Sequence, residues 1–484
     1  MNRLALVAAA SLATACVHPG PGPSRPGSAQ PERAAAERLS REAEQRFAAG
    51  EWDAAARLAG QAQEAGLASE RLEDLQGVAL LLQGDTPAAL SVWERSAPLR
   101  IATIRTAGVS GVDAGALASR AGMRVGMPLT AAGFTRAVRR LHDRASTAGA
   151  AIRVEPRSRE EVDVTLVVTP REGLQGGKTT LVAQTAGAWL REAVDLTWTG
   201  GPAWSAGVEF QGRWQTGRRR VAVRVIDALP SSSRRVDLVG TLSEGTFLDG
   251  SGTRREAIAS LGMRTGGWLS PDVFWGASVS GDRWSAGSAT RAAWRFGLQT
   301  EVRGANDRVR IRVEAERGRA TQGAFQTGIV SLEAHTAPAA ADGWRASALG
   351  GVRTASQSTP LLRWPGAGTG QARVPLLRAH PLLVDGALDL RGAFGRSLVH
   401  ASVELQSPSA RLGPLHVRLG IHSDLARVGD RANDLPRLVA WDAGVGLRMR
   451  TLAGWTARGD LSWGLLDGER AASVGLVRPW DPWR

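Results

Sequence analysis

LHVRLGIHSD, residues 415–424, sets Leu415, Val417, Leu419 and Ile421 on one side of an extended chain and His416, Arg418, Gly420 and His422 on the other. Successive side chains of a strand point to opposite faces, so a period of two marks a strand with one apolar and one polar face. The same alternation recurs along the C-terminal half. RVRIRVEAE (308–316) opposes Val309, Ile311, Val313 and Ala315 to Arg308, Arg310, Arg312, Glu314 and Glu316. VHASVEL (399–405) opposes Val399, Ala401, Val403 and Leu405 to His400, Ser402 and Glu404. AWDAGVGLRMR (440–450) and WTARGDLSW (455–463) repeat the pattern, with Asp442, Arg448, Arg450, Arg458 and Asp460 on the polar face.

A soluble β-sandwich also alternates, but three features favour a membrane barrel. The segments are about nine to eleven residues long, the length of a tilted strand crossing a bilayer. Arginine after arginine falls on the polar face, as in a wet interior. Of the 17 Trp, only Trp52 and Trp93 precede residue 180, and many of the rest sit near segment ends, where aromatic girdles lie. The alternation runs from about residue 178 to the end of the chain at 484. It yields about 16 or 17 segments, and bacterial outer-membrane barrels have even counts. The expectation is therefore a C-terminal 16-stranded antiparallel transmembrane β-barrel over 178–484.

Composition agrees. The 484 residues carry a net charge of +14, with 58 Gly, 23 Pro and 43% hydrophobic residues, so the chain is neither disordered nor collagen-like. The charge alone suggests a polyanion partner. The arginines alternate through the strands, however, and no single patch of them exists to bind nucleic acid. One cysteine, Cys16, excludes an internal disulfide and a Cys-based metal site.

Residues 1–15 read as a secretory signal: Arg3, then a short apolar run from Leu4, then Ala13-Thr14-Ala15 as a small-x-small cleavage site. Cys16 follows at once, and ATAC resembles a bacterial lipobox, which implies lipidation of Cys16. A Pro- and Gly-rich linker is expected over 16–33. Residues 34–97 have helix-forming composition. Within them GEWDAAARL and GDTPAALSV begin 34 residues apart, at Gly50 and Gly84. That spacing resembles a tetratricopeptide repeat pair, whose groove would hold a periplasmic partner or a client; a plain helical spacer is the alternative.

Residues 99–172 read as strand, helix, helix, strand, strand, with Val162, Val164, Leu166 and Val168 on one face. Ile101, Ile104 and Gly108, then Gly126 and Leu129, then VDVTLVV, resemble a POTRA (polypeptide-transport-associated) domain. A generic α/β module is the alternative. Such domains take chains by adding a strand to an exposed sheet edge.

A secretion signal, one POTRA-like module and a 16-strand barrel, in that order, resemble the BamA/TamA-type outer-membrane superfamily, which includes two-partner secretion transporters. The likeness is sharpest between Trp364 and Arg450. WPGAGTG and LLRAHPLLVDGAL look like the family's Gly-rich stretch and sixth extracellular loop. The V-R-G-aromatic tip here reads Leu377-Arg378-Ala379-His380, so only the arginine is kept. SVELQSP and GIHSDLARV resemble two barrel strands whose inward carboxylates are Glu404 and Asp424. The resemblance implies a latch in which Arg378 pairs with Glu404, Asp424 or both. The chemistry is sound, because a guanidinium fork inside a barrel needs carboxylate acceptors.

The resemblance implies a protein of the bacterial outer membrane, with its N-terminal domains in the periplasm. It would insert or translocate unfolded polypeptides, with outer-membrane lipid around the barrel. A passive, Arg-lined diffusion pore that keeps the fold is the second reading. No cofactor, metal or enzymatic activity is expected. GLQGGKT (173–179) lacks the spacing of a phosphate loop and reads as a hinge, and no G-x-S-x-G or H-E-x-x-H occurs. His380, His400, His416 and His422 cluster in sequence but read as lumen residues.

Overall fold

The computed structural model describes residues 29–477, apart from 68, 97, 109–112, 143–146, 171–172, 175–181, 183–184, 186–192, 200–206, 216, 227–233, 250–251, 271, 305–307, 321–322, 337–342, 369–376, 381–382, 385–386, 390–393, 414, 431–437 and 451–455. The signal segment, Cys16 and the terminal DPWR lie outside the described residues. The chain forms two compact units, 1–97 and 98–484.

Among the described residues the first unit is a run of four helices: α1 (Ala29–Ala48), α2 (Trp52–Glu64), α3 (Glu70–Leu82) and α4 (Thr86–Trp93). The expected linker to residue 33 is corrected, since α1 starts at Ala29. Pro31 fits because it sits in the first turn, where its missing N–H has no intrahelical bond to lose. Gly50 and Gly84 occupy equivalent turns with φ of 77° and 86°, a left-handed conformation that glycine enters without strain. Ala55 and Ala89, 34 residues apart, are fully buried, so small residues let successive helices close up. A Cβ on Gly77 would run into the Trp93 ring.

The second unit opens with β1 (Arg100–Ala107), α5 (Ala114–Ala121), α6 (Ala131–His142), β2 (Thr147–Pro156) and β3 (Glu161–Pro170). The sheet order is β1-β3-β2, with β1 parallel to β3 and β2 antiparallel. The face formed by Val162, Val164, Leu166 and Val168 is buried against the helices. Asp113 caps α5 by accepting from the N–H groups of Gly115 and Ala116.

The barrel follows. Its wall starts with β4 (Gly173–Leu174), β5 (Ala193–Thr199), β6 (Gly207–Gln215), β7 (Arg218–Ile226) and β8 (Arg235–Asp249). It continues with β9 (Gly252–Trp268), β10 (Val273–Ala286), β11 (Ala289–Gly304), β12 (Val309–Ala320), β13 (Gly323–His335) and β14 (Arg345–Ala355). Two short segments, β15 (Leu383–Val384) and β16 (Ala387–Asp389), lie in the long connection that follows. Then come β17 (Ser397–Gln406), the short β18 (Ala410–Leu412), β19 (Leu415–Gly429), β20 (Leu438–Arg450), β21 (Thr456–Gly464) and β22 (Arg470–Val477). Setting aside β15, β16 and β18, sixteen strands among the described residues close the barrel. The barrel begins at Gly173, five residues before the expected boundary at 178. Gly173 and Leu174 pair with Thr199 and Trp198, so the start of the expected hinge is already strand.

The alternation partitions as the sequence implies. On β19, Leu419 and Ile421 are 66% and 58% exposed on the outer wall, whereas Arg418, His422 and Asp424 are buried inside. Outward indoles mark both rims. Trp198 and Trp344 lie at the end that carries the α/β unit, and Trp214, Trp294, Trp441 and Trp463 lie toward the other end. The α/β unit is fastened to its rim. Arg136 lies 3.3 Å from Asp272, Arg124 donates to the Leu269 carbonyl and Arg140 stacks over the Trp268 ring.

Phe325 lies across Gly318, its register partner on the neighbouring strand, where a Cβ would overlap the ring. Gly318→Val should therefore displace Phe325 and destabilise the barrel by about 1–3 kcal/mol. The measurement is the temperature at which the folded form loses its gel mobility, and an unchanged transition would refute the packing.

Candidate functional site

The long connection between β14 and β17 does not stay outside. It returns into the barrel, and Leu377, Arg378, Ala379 and His380 are all buried. Leu377 packs into an apolar cluster with Ala367, Leu398 and Val428. The Leu377 N–H donates to the Ala367 carbonyl at 2.8 Å. Arg378 turns instead toward the inner wall.

Arg378 lies between the two carboxylates expected from the sequence. Its Nη1 is 2.9 Å from Glu404 Oε2 on β17, and its Nε is 3.1 Å from Asp424 Oδ2 on β19. The cluster is larger than that triad. Arg448 on β20 grips Glu404 with both arms of its fork, Nε to Oε1 and Nη2 to Oε2, each at 2.8 Å. Its Nη2 is also 2.7 Å from Asp460 on β21, and Arg458 is 3.0 Å from the other Asp460 oxygen. Ser402 and Gln406 complete the acceptors, donating to Asp424 and Glu404 at 2.6 and 2.9 Å. Three guanidinium groups thus face three carboxylates across strands β17 to β21.

Ala379 and His380, the tip positions that differ from the pattern the sequence resembles, both have partners. The Ala379 N–H donates to Asp442 Oδ2 at 2.6 Å. His380 has Nδ1 2.8 Å from Asp442 and Nε2 2.6 Å from Asp467 in the β21–β22 hairpin. Burial disfavours the charged imidazole, but the two carboxylates outweigh it and raise its pKa to about 9. The other histidines stay apart from it. His400 and His422 are buried on the lumen side, His422 against Ser462 at 2.9 Å, and His416 is near Ser409. Among the described residues no group of His, Cys, Asp and Glu is arranged to hold a metal.

The same connection has a second anchor that the sequence reading missed. A short 3-10 turn, Leu361–Arg363, reaches the opposite wall. Arg363 donates to Asp282 on β10 at 2.6 Å, and Ser260 on β9 donates to the same carboxylate at 2.6 Å. Leu361 packs with Phe247, Leu388 and Phe394. Leu388 of β16 pairs in parallel with Phe247 of β8, beyond the point where β7 has ended. Asp282 lies in a strand that alternates like its neighbours, but no motif signals Arg363. Other lumen arginines are matched too, as Arg224 is with Glu209 and Asp237 at 3.3 and 3.6 Å.

Two outcomes follow from this geometry. Glu404→Ala leaves Arg378 and Arg448 buried without their shared acceptor, which should cost about 3–5 kcal/mol of stability, read by thermal denaturation. His380 is charged in the folded state up to its raised pKa. Its contribution is complete below about pH 6.5, the unperturbed value, and is lost as pH rises through about 9. Melting temperatures between pH 6 and 10 should fall across that window in the wild type, and His380→Gln should flatten the fall.

No family model matches the sequence, and no curated protein does. Solved structures do. CdiB from Acinetobacter baumannii aligns with a TM-score of 0.50 at 9% identity, over 78% of this chain and 73% of that one. CdiB from Escherichia coli gives 0.48 at 13% identity, over 78% and 75%. BamA from Haemophilus ducreyi lacking POTRA domains 1–3 gives 0.46 at 11% identity, over 78% and 85%. The described residues form a helical region, a small mixed sheet and a sixteen-strand closed barrel, and over 78% of the chain this fold is similar to that of CdiB from Acinetobacter baumannii.

Proposed function

We propose that this protein inserts or translocates unfolded polypeptides at the bacterial outer membrane, with the α/β unit acting as a POTRA domain in the periplasm. One observation carries the reading: the α/β unit docked on the barrel rim has an open strand edge. The outer edge of β1 is taken by the chain at 126–129, through bonds such as Ile101 N–H to the Met127 carbonyl and Leu129 N–H to the Leu99 carbonyl. β2 is paired with β3 alone among the described residues, so its other edge is available to a client strand. The contacts of Arg124, Arg136 and Arg140 hold the α/β unit that carries this edge at the rim.

On this reading the loop that crosses the lumen is the resting plug, and Arg378, Glu404 and Asp424 are its latch. The helical unit would hold a partner or the client, and Cys16, if lipidated, would tether the mature N-terminus. The arrangement calls for no nucleotide, metal or covalent chemistry. The competing reading, a passive Arg-lined pore, is separated from it by reconstitution of the full chain. In proteoliposomes the wild type should integrate or pass an unfolded barrel protein or secreted polypeptide, and should conduct little at rest. Arg378→Ala should raise single-channel conductance and lower client handling. A steady anion-selective conductance in the wild type, without client insertion or export, would overturn the proposal in favour of the pore.

A further inference from the structure

The connection between β14 and β17 is held at two places that are built differently. At the first, both limbs of the connection meet the wall. Leu361 on the outgoing limb and Leu388 and Phe394 on the returning limb pack with Phe247 of β8, and all four are buried. Trp364 stacks on Phe394, with ring centroids 6.1 Å apart. Backbone contacts tie the limbs to each other and to the wall. Gly366 bridges Phe394, the Gly395 N–H donates to the Pro365 carbonyl at 3.1 Å, and Leu388 pairs with Phe247. Arg363 completes this base by donating to Asp282 at 2.6 Å and to Ser260 at 3.3 Å.

The tip is held otherwise. It grips β17, β19 and β20 through Arg378, the Ala379 N–H and His380, with Leu377 as the large apolar side chain of the seat. Most of that grip is charge. The attraction of an ion pair falls in proportion as the dielectric constant rises, so water entering the lumen weakens it steeply. A carboxylate also accepts any cation, so another lysine or arginine in the lumen can take the place of Arg378 on Glu404 or Asp424. The base responds in the opposite sense, because burial of Leu361, Leu388 and Phe394 is driven by water itself. A polar chain in the lumen has nothing to exchange for Phe394.

We propose that the connection is a hinged arm: the base on β8, β9 and β10 stays seated while the tip at Arg378 releases and returns. Arg363 is a positioning residue in this arrangement. It fixes the base and thereby aims the tip at its carboxylates. The returning limb limits the swing. His380 and Ala387 are about seven residues apart in sequence, at most about 25 Å of extended chain, so a freed tip stays tethered within that distance of β16. The proposal rests on the reading of the loop as a resting plug, given above, and not on what the barrel transports.

The test is thiol reactivity in the full chain, carrying Cys16→Ser so that every thiol is an introduced one. Ala379→Cys reports on the tip and Leu388→Cys on the base, and both positions are buried at rest. Modification by N-ethylmaleimide, in detergent and with no client present, is followed by intact mass. Arg378→Ala should speed modification at position 379 at least tenfold and leave position 388 within twofold of its starting rate. Arg363→Ala/Phe394→Ala, which alters the arm and not the wall, should speed both at least tenfold, because the base aims the tip. Heat-dependent gel mobility confirms a folded barrel in each variant. Reaction at both positions in Arg378→Ala would make the connection a cork that leaves whole. Protection of both there would mean that the latch does not hold the tip. Protection of position 379 in the base variant would make the two anchors independent. Each of these three results overturns the proposal. Client insertion or export is measured separately in proteoliposomes, so a failure of the transport reading is distinguishable from a failure of the arm.

Discussion

A guanidinium group inside a protein keeps its charge, so a buried arginine dictates its surroundings. Arg378 is 2% exposed, and no choice of protonation state can relieve it. The chain meets the demand by converging carboxylates from separate strands, Glu404, Asp424 and Asp460, on one place in the lumen. Those carboxylates are themselves shared with Arg448 and Arg458, so the loop tip, β17, β19, β20 and β21 become one electrostatic unit. Removing any member strands a charge in a low-dielectric space, where the penalty exceeds the worth of an ordinary surface pair.

The faces of the barrel were legible because period-two patterning is a direct consequence of backbone geometry. Arg418, Asp442, Arg448, Arg458 and Asp460 could all be put inside from the sequence. Their meeting could not, because alternation gives the face of a side chain and not its height along the barrel. Height is set by register, which brings Asp424 opposite Asp442 and Gly446 opposite Asp460. Arg378, Glu404 and Asp424 could be named because a family resemblance supplied the missing register. Arg363 and Asp282 had no such help: 81 positions separate them, and only the path of a loop joins them. The boundaries missed at Ala29 and Gly173 have a humbler origin. Pro31 and the Gly-rich run after Gly173 read as punctuation, yet a proline fits a first helical turn and a glycine fits the start of a strand.

The departures at the loop tip show how a motif can lose its letters and keep its constraint. An alanine where glycine is usual still offers its N–H to Asp442. A histidine where an aromatic is usual keeps a flat ring and adds two polar ends, and Asp442 and Asp467 occupy both. Packing around Leu377 supplies the apolar half of the same seat. The tip is therefore held by polar contacts on one side and by close apolar fit on the other.

The connection between β14 and β17 is fixed at Arg363 to β9 and β10 and at Arg378 to β17, β19 and β21. Those two groups of strands lie on different arcs of the wall. One connection thus grips two arcs of the ring, so the ring's cross-section is borne by both grips together. Squeezing or ovalising the barrel would load both anchors at once, and freeing either one would relax the circumference as a whole. The circumference of the wall and the seating of this connection are therefore tied to the same two sets of contacts.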